Sequence, residues 1–243
     1  MAANILAAMV SNLNAGHSKD RPFALLATTN LAKVREIRSL LADLPVNWLT
    51  LNDLGDAPDI EETGATFEAN ALLKARGYAA WSGLPSLADD GGLSINALEG
   101  EPGVKSRRWI ENRDASDEEL IDYTIERMRG VELDRRQASM RVVEAFVLPH
   151  VGTPIHVAAL KQGVTSDMQK RLFRGDRETI GIGAIDGEIA ELASIGRDPG
   201  FPFRSVFYLR ELGKYYFELN PAEHEQFNHR RVALKAIRER IGS

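Results

Sequence analysis

The sequence predicts an α/β fold built on a mixed sheet, and three observations carry that prediction. Short apolar runs alternate with amphipathic stretches near the start of the chain, strand-like runs cluster in its second half, and helix-boundary residues stand at the ends of the periodic segments. A chain of 243 residues, 44% hydrophobic and 27% charged, has the composition of an ordinary folded domain. No internal repeat, low-complexity tract or Pro-, Gly- or Ser-rich linker divides it. A single domain over residues 22–243 is therefore expected, preceded by an extension over residues 1–21.

Phe23 to Ala27 is an apolar run that stops at Thr28-Thr29-Asn30, after which Leu31, Val34, Ile37 and Leu41 recur near helical spacing. This reads as strand, polar turn and helix, with Pro45 closing the helix because proline cannot continue it. A second helix is expected from Thr66 to Trp81, with Thr66 as N-cap and Glu68 in the first turn, where a negative charge suits the helix dipole. Gly83-Leu84-Pro85 ends it. Ser86-Leu87-Ala88 is a brief strand running into Asp89-Asp90-Gly91-Gly92, and Leu93 to Ala97 alternates as a half-exposed strand does, which puts the acidic pair at a strand end. Ser116 and Glu119 form a capping box for a helix ending near Gly130. Arg141 to Leu148 is a strand, and several short strands are expected through about residue 209. Asn220-Pro221-Ala222-Glu223 supplies a cap, an N1 proline and an N3 acid for a helical turn, and a last helix runs from His229 to about Ile241.

The net charge of -5 argues against broad binding to a nucleic acid polymer, which needs an excess of Lys and Arg on one face. The absence of cysteine excludes disulfides, thiolate catalysis and thiolate metal sites, and fits a reducing compartment. Met1 to Ala15 is apolar in patches, lacks a basic leader and is too short to span a bilayer. No later segment approaches the roughly 20 apolar residues of a membrane helix. A cytoplasmic protein without a membrane partner is expected.

Four groups of residues carry chemistry. Thr28, Thr29, Asn30 and Lys33 stand where a strand feeds a helix N-terminus, a natural phosphate cradle, although Thr and Asn there also serve as plain helix caps and the Gly-rich P-loop pattern is absent. Glu61-Glu62-Thr63-Gly64 precedes Asn70 and Lys74, which share one helix face; such a lysine either snorkels or reaches an anion in a cleft. Asp89-Asp90-Gly91-Gly92 sets two carboxylates beside flexible backbone, suited to magnesium with its preference for one or two carboxylates plus phosphate oxygens, and equally to a turn. His229-Arg230-Arg231 opens the last helix, where cations oppose the dipole and so point to a nearby anion or to a solvated end.

In order and spacing these groups resemble the inosine triphosphate pyrophosphatase family, also called the RdgB type. Ala27 to Glu36 looks like its T/S-x-N-x-x-K segment, and Glu61 to Ala75 is similar to its acidic T-F-x-x-N-A-x-x-K-A segment. Gly83-Leu84-Pro85, Ala88 to Leu93, Pro102-Gly103-Val104 and Ser106-Arg107 extend the match. It is dense from Leu26 to Trp109, faint between Val151 and Ile185, and resumes at Glu218-Leu219 and Asn228-His229-Arg230.

The resemblance implies an elongated mixed β-sheet flanked by helices, two lobes around a central cleft, and a homodimer. It implies magnesium-dependent hydrolysis of noncanonical purine nucleoside triphosphates, such as ITP, dITP and XTP, to monophosphate and pyrophosphate. Asp90 would be catalytic and a metal ligand, with Glu61 as the second metal carboxylate. Thr28, Thr29, Asn30, Lys33, Asn70, Lys74, Gly91, His229 and Arg230 would bind substrate, and Phe201 would stack on the base beside Phe203. Three departures bear on base choice: Arg204 stands in place of the Asp of G-F-G-Y-D-P, His224 in place of a lysine, and Gly91 in place of the serine of D-D-S-G. Arg204 reads either as a donor to an acceptor-rich base edge or as the partner of a neighbouring acid. The alternatives to the family activity are a pyrophosphatase for another base and a nucleotide-binding protein without catalysis.

Overall fold

Every side chain of Phe23–Leu26 is buried, so this strand, β1, needs cover on both faces and a neighbour on each edge. The computed structural model describes residues 20–169 and 176–242 and places β1 inside a seven-stranded mixed sheet. Of the extension expected over 1–21, residues 1–19 lie outside the described residues. The sheet order is β2-β1-β3-β4-β5-β6-β7, with β2 at Asn47–Thr50, β3 at Ser86–Ile95, β4 at Gln137–Val147, β5 at Glu178–Ile189, β6 at Phe207–Leu209 and β7 at Lys214–Tyr215. β1 runs parallel to β2 and β3, and the remaining pairs are antiparallel. A mixed sheet flanked by helices is the architecture expected from the sequence.

Helix α1 (Leu31–Leu40) starts at Asn30, whose side chain accepts hydrogen bonds from the Ala32 and Lys33 amides, and it stops short of Pro45. The four-residue helix α2 (Leu51–Leu54) follows β2. Helix α3 (Phe67–Ser82) is capped by Thr66, which accepts from the Ala69 amide, as expected. Helix α4 (Asp117–Arg127) carries the Ser116–Glu119 capping box. Short helices α5 (Val157–Lys161) and α6 (Ser166–Gln169) occupy the segment before β5, and α7 (Pro221–Phe227) leads into the final helix α8 (His229–Gly242).

Two expectations are corrected. The acidic pair is not at a strand end: β4 pairs with β3 continuously from Ser86↔Val147 to Ile95↔Ala138, which carries the strand straight through Asp89-Asp90-Gly91-Gly92. The short strands expected between Leu148 and about residue 209 are instead first a single twelve-residue strand, β5, at Glu178–Ile189. Its Gly181, Gly183 and Gly187 look like interruptions in sequence, since glycine weakens a strand interior. Here glycine admits another backbone. A Cβ at Gly181 would lie 1.8 Å from the Ala233 carbonyl oxygen, and one at Gly183 would lie 1.9 Å from that of His229, so α8 rests directly on β5.

Alternation along β3 and β4 then assigns the faces. Leu87 and Phe146 pack with Val34 and Ile37 of α1 and Leu234 and Ile237 of α8, whereas Ala88, Val143 and Ala145 pack with Phe67, Ala71 and Ala75 of α3. Asp89 consequently points toward α1 and α8, and Asp90 toward α3. Leu93 and Ile95 continue into a third cluster with Leu120, Phe207 and Tyr216. Among the described residues no helix is long and apolar enough to cross a membrane.

The close seat of α8 gives a direct test. Gly183→Ala forces α8 off β5, and overpacking of this kind costs about 1–3 kcal/mol. Urea unfolding of the variant should show that loss; unchanged stability would mean that α8 does not rest there.

Candidate active site

β1 ends at Leu26 and accompanies β3 only at Leu25↔Ser86 and Leu26↔Leu87. Beyond that point β3 continues alone on this edge until Ser94 bridges to Pro102, among the described residues. A crevice therefore opens at the carboxyl end of β1, against the N-terminus of α1, the position where open α/β sheets take ligands.

On the α1 and α8 side, Arg230 is 4% exposed and sits among three buried or nearly buried carboxylates. Its Nε donates to Glu36 Oε2 at 3.0 Å, Nη1 and Nη2 both reach Asp89 Oδ2 at 3.1 Å, and Nη1 also holds Glu144. Lys33 closes on Asp89 Oδ2 at 2.7 Å. Burial alone would raise Asp89, but Lys33 and Arg230 outweigh it and hold the carboxyl well below the usual range. Burial dominates at Glu144, pushing it up to about 8 against the pull of Arg230. At Glu36 burial is again opposed, by Arg204 and Arg230, and the carboxyl falls to about 2.

Glu36 Oε1 also accepts from Arg204 Nη2 at 2.7 Å and Asn228 Nδ2 at 2.9 Å, while Arg204 Nη1 donates to Asp198 Oδ2 at 2.9 Å. The Arg204 guanidinium lies 3.7 Å from the centre of the Phe201 ring. Of the two readings of Arg204, the partnership with neighbouring acids is the one observed. Phe203 packs into the core cluster around Phe207 and Tyr216. His229 is buried with Nδ1 3.2 Å from the Tyr216 hydroxyl, and burial, Arg230 and Arg204 push it down to about 3. His224, half-buried, stands edge-on to the Tyr216 ring, and burial lowers its pKa as well, with Arg204 adding to the shift.

On the α3 side, Lys74 Nζ lies 3.2 Å from Glu62 Oε2 and 3.7 Å from Asp90 Oδ1. Burial raises the Asp90 pKa, Lys74 opposes, and the Glu62 carboxylate raises it further. Burial would lower Lys74, but Asp90, Asp89 and Glu62 hold it above its ordinary value. Asp90 Oδ1 accepts from the Gly91 amide at 3.0 Å, and Oδ2 is buried without a hydrogen-bond partner. The acid beside Lys74 is Glu62; Glu61, the residue expected as the second carboxylate, is exposed and joins no ion pair among the described residues. In an extended segment, consecutive side chains point in opposite directions, so one of the two acids faces the cleft and the other water. Asn70, also assigned to substrate, is buried and accepts from the Gly64 amide at 2.7 Å, which fixes the loop carrying Glu62.

At the crevice mouth, Thr28 Oγ1 accepts from the Asn30 amide at 3.2 Å, and Thr29 is exposed. Asn30 Nδ2 donates to the Gly200 carbonyl at 3.1 Å, tying α1 to the loop that holds Phe201. Gly200 has φ 92, a conformation that favours glycine, and a Cβ there would meet Asn30 Oδ1 at 2.9 Å.

Residues 24–240 match a sequence model of the Ham1 family. The chain belongs to the Ham1 family. The match runs across the middle segment, where the motifs alone are faint. A dITP/XTP pyrophosphatase of Symbiobacterium thermophilum is 38% identical over 217 residues, covering 89% of this chain and 93% of its own. The dITP/XTP pyrophosphatase of Escherichia coli is 35% identical over 215 residues, covering 88% and 94%. Among solved structures, a HAM1 protein from Coxiella burnetii superposes with a TM-score of 0.68 at 32% identity, covering 89% of this chain and 96% of its own. The Staphylococcus aureus Ham1 protein gives 0.66 at 26% identity over the same shares.

Within this Ham1 fold, sequence reading missed Glu36, Glu144 and Asp198 as members of the charge network, and from the Glu61-Glu62 pair it assigned the metal role to Glu61 where Glu62 is the acid beside Lys74. Glu36 was legible in part, lying three residues after Lys33 and so on the same face of α1.

Glu36 ionises in the folded protein at about 2 rather than its ordinary 4.5. A lowered carboxyl stabilises the fold above the ordinary value and loses that contribution as pH falls toward 2, so its charge is worth about 3 kcal/mol at neutral pH. Glu36→Gln should cost about that much by urea unfolding near pH 7, and the gap to the parent should narrow below about pH 4. A gap that stays constant with pH would remove Glu36 from this role.

Proposed function

We propose that this protein is a nucleoside-triphosphate pyrophosphatase acting on noncanonical purine nucleotides of the dITP and XTP kind, with magnesium as its metal. The observation that carries the reading is the Asp90 carboxylate. It lies in the crevice with one buried oxygen unpartnered and its pKa raised by burial, beside Lys74 and Glu62. The names of the relatives, dITP/XTP pyrophosphatases matched over nearly their whole length, support the substrate class.

Asp90 and Glu62 fit magnesium, a hard cation that takes one or two carboxylates and completes its shell with waters and substrate phosphate oxygens. Among the described residues no group of three or more His, Cys, Asp or Glu is placed to hold a metal, so the remaining ligands would come from water and phosphate. Bound there, magnesium supplies charge neutralisation and a more acidic water. Asp90 orients the attacking water and accepts its proton as the water adds to the α-phosphorus; the bond to the bridging oxygen breaks and pyrophosphate leaves. Lys74, between Glu62 and Asp90, steadies the phosphates from the α3 side, and Lys33 does so from the N-terminus of α1. Asn30 and Thr28 shape that terminus through their own hydrogen bonds. Arg230, with its donors taken by carboxylates, fixes Asp89 and Glu36 and so positions Lys33. Assembly as a homodimer and work in the cytoplasm belong to the same proposal.

The test is a panel of dITP, XTP, ATP, GTP and pyrimidine triphosphates with magnesium, products separated by anion exchange. Pyrophosphate and monophosphate should form, fastest from dITP and XTP; release of orthophosphate and a diphosphate would overturn the reading. Asp90→Asn should lose at least ~100-fold in kcat, about 2.7 kcal/mol of transition-state stabilisation, and near-normal turnover would refute its role. Lys74→Met deletes the charge while keeping much of the stem, so kcat/KM should fall alike for every nucleotide. A reordered base preference would move Lys74 to the base pocket.

A further inference from the structure

Asn70, Lys74 and Gly77 follow one another along α3 at helical spacing and so share one stripe of its surface. The segment from Ile60 to Gly64 meets that stripe at both ends and in the middle. A Cβ at Gly77 would lie 2.8 Å from Ile60 Cδ1, so the Ile60 side chain fills the notch that this glycine leaves. Lys74 Nζ holds Glu62 Oε2 at 3.2 Å. At the other end the Gly64 amide donates to Asn70 Oδ1 at 2.7 Å, and a Cβ on Gly64 would meet that oxygen at 2.6 Å and Ala69 Cβ at 2.7 Å, so only glycine lets the backbone come this close. Exposure follows the same register: Ile60, Glu62 and Gly64 are half-buried, whereas Glu61 and Thr63 are exposed. The lengths also agree, since the helix rises about 10 Å from Asn70 to Gly77 and extended chain from Ile60 to Gly64 spans at most about 14 Å.

We infer that Asn70 is a positioning residue for the metal site: with Ile60 seated at Gly77, it sets the register of this segment so that Glu62, and not Glu61, stands beside Asp90. The inference rests on magnesium binding at Asp90 and Glu62 as proposed above. Side chains of extended chain alternate, so a slip of one residue would turn Glu61 toward Lys74 and Glu62 toward water. Lys74 does not make that choice, because a compact charge on a flexible stem pairs with either carboxylate. The choice falls to the two uncharged anchors. Asn70 is 2% exposed, and its amide oxygen is spent on the Gly64 backbone, so the helix residue that the sequence assigned to substrate acts through Glu62 instead.

Manganese, a divalent stand-in for magnesium with a readable electron spin resonance, reports on the site without turnover. Free Mn2+ is followed on titration of the parent, Asn70→Ala, Asn70→Asp, Ile60→Ala, Glu61→Gln and Glu62→Gln, beside the magnesium dependence of dITP hydrolysis. Asn70→Ala should bind Mn2+ at least about tenfold more weakly, as when the outer partner of a metal ligand is lost, and should need more magnesium for half-maximal turnover while KM for dITP at saturating magnesium stays within about twofold. Asn70→Asp keeps an acceptor for the Gly64 amide and should stay within about threefold of the parent. Ile60→Ala frees the segment from its other end and should weaken Mn2+ binding in the same direction, so the test does not depend on one variant folding. Glu62→Gln should lose Mn2+ and Glu61→Gln should keep it. Mn2+ affinity within about twofold of the parent in a folded Asn70→Ala or Ile60→Ala, or equal losses in the two glutamate variants, would overturn the inference. A raised KM for dITP in Asn70→Ala with Mn2+ binding unchanged would also overturn it, by placing Asn70 on the substrate. A parent that hydrolyses no triphosphate yet shows the Mn2+ losses refutes the reaction and supports the positioning role. A parent that releases pyrophosphate while Asn70→Ala binds Mn2+ normally refutes the positioning role alone.

Discussion

The crevice is organised around one arginine buried among carboxylates. Arg230 joins Glu36 of α1, Asp89 of β3 and Glu144 of β4 to α8, so a single side chain ties both flanking helices to the two central strands. A charge so placed is tolerated because each of its three nitrogens donates to a carboxylate, and removing one partner of a buried pair typically costs about 3–5 kcal/mol. The three carboxylates are not equivalent: Asp89 and Glu36 are held low by their cations, whereas at Glu144 burial outweighs the pull of Arg230 and pushes the pKa up.

The same network governs what faces the crevice. Asp89 and Asp90 are neighbours in sequence but serve opposite sides of the sheet, because successive strand residues point to opposite faces. Asp89 is structural, locked between Lys33 and Arg230; Asp90 is left with an unpartnered oxygen. Two adjacent carboxylates that look alike thus differ in the direction of their pKa shifts, one lowered by cations and one raised by burial. Arg204 extends the network outward. By pairing with Glu36 and Asp198 and covering Phe201, it gives the loop after Gly200 a fixed shape, so this departure from the family motif acts through the geometry of the crevice wall.

Helices α1, α3, α4 and α8 were legible because each is announced by local chemistry: Asn30 and Thr66 as caps, Ser116 with Glu119 as a capping box, and apolar residues at helical spacing. Strand β5 was not legible as one element, because its glycines break the apolar pattern for reasons that lie in other elements: the backbone of α8 at Gly181 and Gly183, and Phe207 of β6 at Gly187. Glu62 and Glu61 cannot be told apart from local sequence, since both precede the same Thr63-Gly64 and only the direction of the backbone decides which of them meets Lys74.

By itself the sequence determined the mixed α/β class, the family through the spacing of its Thr28 to Lys33, Glu61 to Lys74, Asp89 to Leu93 and Asn228 to Arg230 segments, and the set of charged residues from which the crevice is built. Those features are local, set by propensity, capping and residue spacing along the chain. The tertiary structure decided which charges are spent on one another and which remain available. Arg230 is consumed by Glu36, Asp89 and Glu144, Arg204 by Glu36 and Asp198, while one oxygen of Asp90 is left without a partner. That outcome depends on distances between residues far apart in the chain, and only the packing of α1 and α8 on one face of the sheet and α3 on the other sets them.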